Sequence, residues 1–499
     1  MKILCLYSTD EGVTVDKPLA SFLAIPHGLA SIASVLRQDG CDVHVIVRLA
    51  GKRSAARLRA CLEEFRPDIV CASSVTSQYP LIRESAIAVR RWLPQARILL
   101  GGAHASLNPG ETIAGGMFDG ICIGEGEQAA REYVGQLRAG GGPPTGIANL
   151  WLRSRETGVV EMNRPRPFQA DLDSLPDEDA ALWEDEVAGR SGLFDVVVGR
   201  GCPNRCTYCS NHALAALAPG RFVRFRSPQR VVDEIRGKVL RYPFIRGIIL
   251  RAETLSVDLP YTLALCAALR EMNRGLPRPL AFTMPVSPRG ELLARGDFFS
   301  TLKATGVSCL NMALESGSAR VRRDVLRRPA YSNDDVVAIC RAARDAGIAV
   351  SLCSMMGLPG ETLAEYRETV ACARNSNPDH AHLYIFYPYP GTDLYRRAKE
   401  MSLFSGAMVK PAGERKVARL DQPGFRRRRV QWEYLTFHYR AFHGRKPWLT
   451  IVARMGWELL NMSPRLGAGV RRLKRRGWLR RLASRLATDP KSGYWQCKG

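Results

Sequence analysis

Apolar and polar positions alternate in two distinct stretches of short runs and longer amphipathic segments. In the first, Lys2–Tyr7, Val43–Val47, Asp68–Ser73, Arg97–Leu100 and Gly120–Ile123 are short β-rich runs. Segments with helical spacing, such as Leu29–Gln38 and Ala55–Phe65, separate them. Strands joined by crossover helices predict an open parallel sheet, with ligand-binding loops at the carboxyl ends of the strands. The second stretch repeats the pattern at Phe194–Val198, Gly247–Leu250, Leu280–Phe282, Ser308–Ala313, Ala349–Cys353 and His382–Phe386. Six such units predict a partial β/α barrel, again with its chemistry at the strands' carboxyl ends.

Between the two, Gly140-Gly141-Gly142-Pro143-Pro144 breaks the pattern, and Trp151–Arg153 and Val159–Met162 flank Glu156-Thr157-Gly158 as a hairpin. The expected organisation is an α/β chain in four parts: a flavodoxin-like domain at 1–140, a connector at 141–190, a barrel core at 191–401 and a basic helical region at 402–499.

Charge refines this division. The formal charge is +24, yet residues 402–499 hold 23 Lys/Arg against five acids and so carry +18 of it. The basicity belongs to the tail and says little about the first 401 residues. There Arg426–Arg429 precede Trp432, Tyr434, Phe437, Tyr439 and Phe442, and a second basic run spans Arg471–Arg480. The favoured reading is a set of helices capping the barrel mouth. Contact with an anionic membrane surface ranks second and the phosphates of RNA last. No apolar run reaches the ~18 residues of a membrane span. The start reads as a first strand rather than a signal sequence, and fourteen cysteines without such a signal suit a reducing compartment. The chain is expected to be cytoplasmic, with peripheral membrane contact through the tail as the variant.

The chemistry centres on Gly201-Cys202-Pro203-Asn204-Arg205-Cys206-Thr207-Tyr208-Cys209, directly after the Phe194–Val198 strand. Three cysteines at C-x3-C-x2-C spacing on one polar loop lack the second C-x2-C pair of a zinc site. Disulfides between such close neighbours do not suit a reducing compartment. Three thiolates can ligate three irons of a [4Fe–4S] cluster and leave the fourth open, the condition for binding a further ligand.

This loop resembles that of the radical S-adenosylmethionine (SAM) enzymes. The resemblance implies that Cys202, Cys206 and Cys209 hold the cluster, that SAM chelates the open iron, and that electron transfer cleaves SAM to a 5′-deoxyadenosyl radical. Tyr208 matches the family's aromatic beside the cluster and adenine. Arg251-Ala252-Glu253-Thr254-Leu255 occupies the place of an acidic pair, with Ala252 replacing the first acid, so that Glu253 alone would accept from the SAM amino group. Glu315 and Ser316 are implied ribose or carboxylate contacts. Gly357-Leu358-Pro359-Gly360-Glu361-Thr362 resembles the adenine-side turn, with Gly357 and Pro359 as the contacts, and Tyr389-Pro390-Gly391-Thr392 is typical of a cobalamin-dependent branch.

The first stretch is similar to the cobalamin-binding domain of that branch. The matching pieces are Pro26-His27-Gly28-Leu29, Gly101-Gly102-Ala103-His104 and Gly124-Glu125-Gly126-Glu127. The implied cobalamin contacts are Ser74, Thr76, Gly101, Gly102, His104, Gly124 and Gly126. A D-x-H-x-x-G motif is missing: Asp42-Val43-His44-Val45-Ile46-Val47 lacks the glycine, and His44 falls inside a strand, where it reads as structural. His104 is expected near the corrin rather than on cobalt.

The resemblance thus implies three cofactors: the [4Fe–4S] cluster, SAM and cobalamin. It implies a C-methyltransferase acting on an unactivated carbon of a natural-product or lipid-like substrate. Residues of the chain have no acid–base role in the radical step, and a flavodoxin or ferredoxin supplies the electron. The alternatives are a cyclase or rearrangement enzyme with the same cofactors, an RNA methylthiotransferase, and a cobalamin-binding sensor or carrier. The second of these carries another cluster on amino-terminal cysteines, whereas Cys5, Cys41, Cys61, Cys71 and Cys122 fall mostly in strand or helix patterns. The cysteine triad disfavours the sensor.

Overall fold

The computed structural model describes residues 1–9, 12–189, 191–404 and 414–462. The basic run Arg471–Arg480 lies outside these. The described chain forms two compact units. One holds Met1–Pro203, Cys209–Ile245 and Tyr389–Gly391; the other holds Asn204–Tyr208, Arg246–Pro388 and the chain from Thr392 onward.

The first unit is built on a seven-stranded sheet. Its strands are β1 (Lys2–Ser8), β2 (Asp42–Arg48), β3 (Ile69–Ser73), β4 (Arg97–Gly101), β5 (Gly120–Cys122), β6 (Leu150–Arg153) and β7 (Val160–Met162). The order is β2-β1-β3-β4-β5-β6-β7. Parallel pairing sets Ile3 beside Val43 on one side and Ile69 on the other. A strand buried on both faces must be apolar throughout, which is why Ile3, Leu4, Cys5 and Leu6 are all fully buried. Leu4, Leu6, Val70, Ile98 and Leu100 join Ile82 and Val89 of the helix Tyr79–Trp92 in one core cluster.

Five strands are expected from the hydrophobic pattern and seven are found. The additional pair is the expected hairpin around Glu156-Thr157-Gly158, which joins the sheet instead of standing apart. Trp151 pairs antiparallel with Ile121 of β5 and with Met162 of β7. The edge of β5 would otherwise present unpaired backbone groups. His44 faces outward from the edge strand β2, its ring 5.3 Å from that of Phe65, so the strand reading of that residue holds.

Three short strands complete this unit: β8 (Leu193–Val197), β9 (Gly199–Arg200) and β10 (Arg224–Phe225). β9 and β10 pair antiparallel. β8 buries Leu193, Phe194 and Val196 and leads through β9 into Gly201.

The second unit carries β11 (Gly247–Arg251), β12 (Ala281–Val286), β13 (Val307–Glu315), β14 (Ala349–Met356) and β15 (His380–Ile385). Each pairs in parallel with the next. Helices Leu259–Arg274, Phe298–Thr305, Asn333–Asp345 and Leu363–Ser376 form the crossovers. Two start with reciprocal capping boxes, Ser332 with Asp335 and Thr362 with Glu365. Such boxes satisfy orphan amides at the helix entry and set where it begins. Helix Arg427–Phe442 packs on β15 and on helix Leu363–Ser376, and helix Trp448–Met462 packs on it in turn. Its buried face, Val430, Tyr434, Phe437 and Phe442, makes it part of the unit's core. No described helix is long and apolar enough to cross a membrane.

Candidate functional site

In the first unit the strand order reverses at β1 and β3, and the loop after β3 is where an open α/β sheet binds ligands. This loop carries Ser74 and Thr76; beside it Gly101 ends β4 and Gly102 leads into the short helix Ala103–Leu107, which carries His104. Gly102 has φ +90°, and a Cβ there would lie 2.6 Å from the Ser74 carbonyl oxygen. Only glycine lets the loops approach so closely. The His104 amide donates to the Ser74 carbonyl at 3.1 Å, and the Ser74 amide to that of Gly101 at 3.2 Å.

His104 is 4% exposed and its ring stacks on Tyr79 with centroids 3.9 Å apart. Burial pushes its pKa down to about 4, so the ring is neutral. Nδ1 lies 3.4 Å from Thr76 Oγ1, while Nε2 and the Ser74 hydroxyl are buried without a hydrogen-bond partner among the described residues. Buried polar atoms are nearly always bonded. Two such atoms on adjoining segments at a sheet switch point fit a polar ligand seated there.

Gly124 has φ +82° and donates to the Ser106 hydroxyl at 3.0 Å. A Cβ on Gly126 would meet Ile32 Cδ1 at 3.0 Å and Cys122 Sγ at 3.3 Å. The acids between and beside them do something the sequence did not reveal. Glu125 and Glu127 accept from Arg200 at 3.1 and 2.7 Å, and Glu125 also accepts from Arg224 at 2.9 Å. The Ser31 hydroxyl donates to Glu127 at 2.8 Å. Burial opposes the Glu127 charge, but Arg200 outweighs it and holds the pKa below the ordinary value. Arg200 is the last residue of β9, two before Cys202, so the motif after β5 clamps the strand that enters the cysteine loop. Likewise His27 lies 2.8 Å from Glu178 and 3.3 Å from Asp195 of β8. Burial disfavours its charge, yet the two acids raise its pKa to about 10.

The cysteine loop opens on Gly201, φ +86°, where a Cβ would overlap the Phe222 carbonyl at 2.1 Å. Cys202 is half-buried. Cys209 caps the helix Ser210–Ala215, its Sγ accepting the Asn211 amide at 3.5 Å. That helix packs on the short helix Ala103–Leu107, which carries His104. The first unit therefore places the exit of the cysteine loop against one of its ligand segments.

In the second unit the segment Asn204–Tyr208 is pinned from both sides. The Thr207 amide donates to Leu326 at 3.1 Å, its hydroxyl to Val325 at 2.6 Å, and the Leu394 amide to the Thr207 carbonyl at 2.8 Å. Cys206 is 4% exposed. Arg328 reaches it, with Nη1 3.5 Å from Sγ and Nη2 3.1 Å from the Ala313 carbonyl. The Arg328 guanidinium also lies over the Tyr331 ring at 5.8 Å, and the Tyr331 hydroxyl donates to Leu314 at 2.5 Å.

Tyr208 donates to Glu315 Oε1 at 2.7 Å. Glu315 closes β13 in the left-handed region, φ +60°, where its register against β14 shifts. Burial raises its pKa, and the charge of Arg328 and the Tyr208 bond oppose the rise. Glu315 and Tyr208 thus meet.

Ser316 is different. It is fully buried, its hydroxyl accepts the Ser318 amide at 3.2 Å and lies 3.5 Å from that of Thr369. These bonds fix the hydroxyl within the loop that follows Glu315. Glu253 is exposed in the loop after β11. Next to it in the chain, Thr254 is buried, with Oγ1 3.1 Å from the Ser256 hydroxyl and 3.2 Å from that of Ser287.

The turn at Gly357 (φ +70°) and Gly360 (φ +77°), with Pro359 buried between them, folds over Glu361, whose Oε2 accepts the Gly357 and Leu358 amides at 2.6 and 3.2 Å. Burial pushes the Glu361 pKa up to about 8. From the far end of the chain, Gln422 accepts the Gly360 amide at 2.8 Å and donates to the Leu358 carbonyl at 2.8 Å. Neither Glu361 nor Gln422 stood out in the sequence as a brace, because their partners are backbone groups.

A family model described as the B12 binding domain matches residues 20–134, and one described as the Radical SAM superfamily matches residues 196–373. The two domains follow each other in one chain, over the two stretches just described. This is a cobalamin-dependent radical SAM enzyme.

The chain is 28% identical to an uncharacterised methyltransferase of Pyrococcus horikoshii, over 80% of this chain and 83% of the other. It is 24% identical to an anaerobic magnesium-protoporphyrin IX monomethyl ester cyclase of Cereibacter sphaeroides, over 90% of this chain and 72% of the other. In fold it is similar to the radical SAM methyltransferase TsrM of Kitasatospora setae, with a TM-score of 0.61 at 17% identity, over 80% of this chain and 75% of that one. The enzyme's cofactors are the [4Fe–4S] cluster, SAM and cobalamin. Among the described residues no group of three or more His, Cys, Asp or Glu side chains could hold a metal ion. A cubane asks for something else, one thiolate for each of three irons, and a loop with three cysteines offers that donor set.

Proposed function

We propose that this enzyme transfers a methyl group to an unactivated carbon of a natural-product or lipid-like small molecule. Such a carbon has no acidic proton for a base and no lone pair for attack. When bound, the cluster with SAM supplies hydrogen abstraction and cobalamin supplies the methyl group. The chain's own residues bind, orient and exclude water.

On this reading Cys202, Cys206 and Cys209 hold the cluster. Glu315, Glu253 and the turn at Gly357 and Pro359 orient SAM, with Tyr208 fixed through Glu315. Ser74, Thr76 and His104 hold cobalamin, and Gly101, Gly102, Gly124 and Gly126 give the loop shape it needs. The supporting observation is the pair of buried, unpartnered atoms Ser74 Oγ and His104 Nε2, in a chain that also carries the cysteine triad. A flavodoxin or ferredoxin supplies the electron.

Methyl-labelled SAM tests this with anaerobically purified enzyme and candidate substrates. Label in the product supports methyl transfer. Turnover without label supports the cyclase reading, which the Cereibacter relative favours. Cys206→Ala is expected to abolish cluster binding and turnover; full iron content in that variant would sink the assignment.

Peripheral membrane contact belongs to the same proposal. Trp448, Leu449, Val452 and Leu459 stand exposed on the helix Trp448–Met462, and such a face followed in the sequence by a basic run suits an anionic lipid surface. Co-sedimentation with phosphatidylglycerol vesicles is expected and should be lost in Trp448→Glu/Val452→Glu. Equal sedimentation of both proteins would remove the idea.

A further inference from the structure

Cys206 is the most deeply buried of the three loop cysteines. A cationic group faces its sulfur from within the same unit. Arg328 comes from the segment after β13, and its place is set by several independent contacts. Nη2 donates to the Ala313 carbonyl at 3.1 Å, Nη1 lies 3.5 Å from Cys206 Sγ, and the guanidinium stands over Tyr331. Tyr331 is itself held by its bond to Leu314. The segment carrying Cys206 is bonded to the same stretch, Thr207 to Val325 and Leu326. Donor and sulfur therefore ride on one braced unit.

We propose that Arg328 is a positioning residue that sets the reduction potential of the cluster through a charge-assisted N–H···S bond to Cys206. This rests on the assignment of Cys206 as a cluster ligand. One electron from a low-potential flavin or iron–sulfur carrier takes the oxidised cluster to its reduced form. No bond forms or breaks in the protein, and the cluster gains one negative charge. A fixed cation donating to a ligand sulfur stabilises the more negative state, because net charge and hydrogen bonds to sulfur set these potentials. Within this half-buried site the attraction is screened less than at the surface. Arg328 would then make the cluster easier to reduce. Arginine suits the task because its fork reaches the sulfur and the Ala313 carbonyl together.

The test is an anaerobic redox titration of full-length reconstituted protein, followed by electron paramagnetic resonance, with iron measured on each sample. Arg328→Gln keeps a donor without the charge, and Arg328→Lys keeps the charge with a shorter reach. The expected result is a more negative midpoint in Arg328→Gln at unchanged iron content, with Arg328→Lys between it and the parent. Equal midpoints in parent and Arg328→Gln would overturn the inference. If Arg328→Gln loses its iron, Arg328→Lys decides: a more negative midpoint supports the role, an unchanged one refutes it. Loss of iron in both refutes it in favour of a structural part. A parent protein that takes up no cluster is a separate outcome, read first, and defeats the cluster assignment itself.

Discussion

Single residues here show how burial decides chemistry. His104 and Glu361 are both buried, and burial drives both toward the neutral form. Replacing His104 by Phe keeps the stack on Tyr79 and removes Nε2. Losing one bond from a buried group costs about 1–2 kcal/mol, so cobalamin affinity should fall roughly ten-fold. Titration of the apoprotein with hydroxocobalamin, followed in the visible spectrum, measures it, and unchanged affinity would separate His104 from the ligand. Glu361 gives a pH prediction. Its folded pKa, about 8, lies above its ordinary value of 4.5. Between these values the folded state holds a proton the unfolded state has lost, so this contribution to stability declines as pH rises through the window. Glu361→Gln should flatten that decline in thermal midpoints compared from pH 5 to 8.5. A parallel decline in both proteins would show that other groups cause it.

At the scale of elements, the chain is held together where strands enter loops. Arg200 ties β9 to the loop after β5 through Glu125 and Glu127, and these charges are largely out of water. Removing Arg200 leaves the buried Glu127 without its cation, at a cost of about 3–5 kcal/mol, while Glu125 keeps Arg224. Arg200→Ala should therefore lower the thermal midpoint well below that of Arg59→Ala, whose i,i+4 partner Glu63 is exposed. Comparable small shifts in both would mean the clamp contributes little. The antiparallel pair β6–β7 is a second case. Its pattern was readable as a hairpin, but its place beside β5 depends on an edge that only the assembled sheet presents.

For the molecule as a whole, the carboxyl-terminal helices belong to the structure of the second unit. Val430 would meet a Cβ on Gly357 at 3.2 Å, Gln422 bonds the turn at Gly360, and Glu433 is fully buried between Arg429 and Arg440. Truncation before residue 414 should expose this apolar face and yield an aggregating protein. Arg429→Ala/Arg440→Ala removes both cations from the buried Glu433 and should lower the thermal midpoint of the folded protein without aggregation. Size-exclusion profiles of the truncation and thermal scans of the double variant check these outcomes; a monodisperse truncated protein or an unchanged midpoint would count against them.

What the sequence determined alone was local: period-2 and period-3.6 patterns placed the strands and helices, and the spacing of Cys202, Cys206 and Cys209 announced metal chemistry. These signals survive in one dimension because each depends on neighbours a few residues apart. Tertiary structure decided the rest. It put Arg328 on Cys206 across 122 residues, Arg200 on Glu127 across 73, and Gln422 on Gly360 across 62. An arginine or a glutamine reads as a surface residue until the fold supplies its partner, because the energy of such a contact lies in burial and distance.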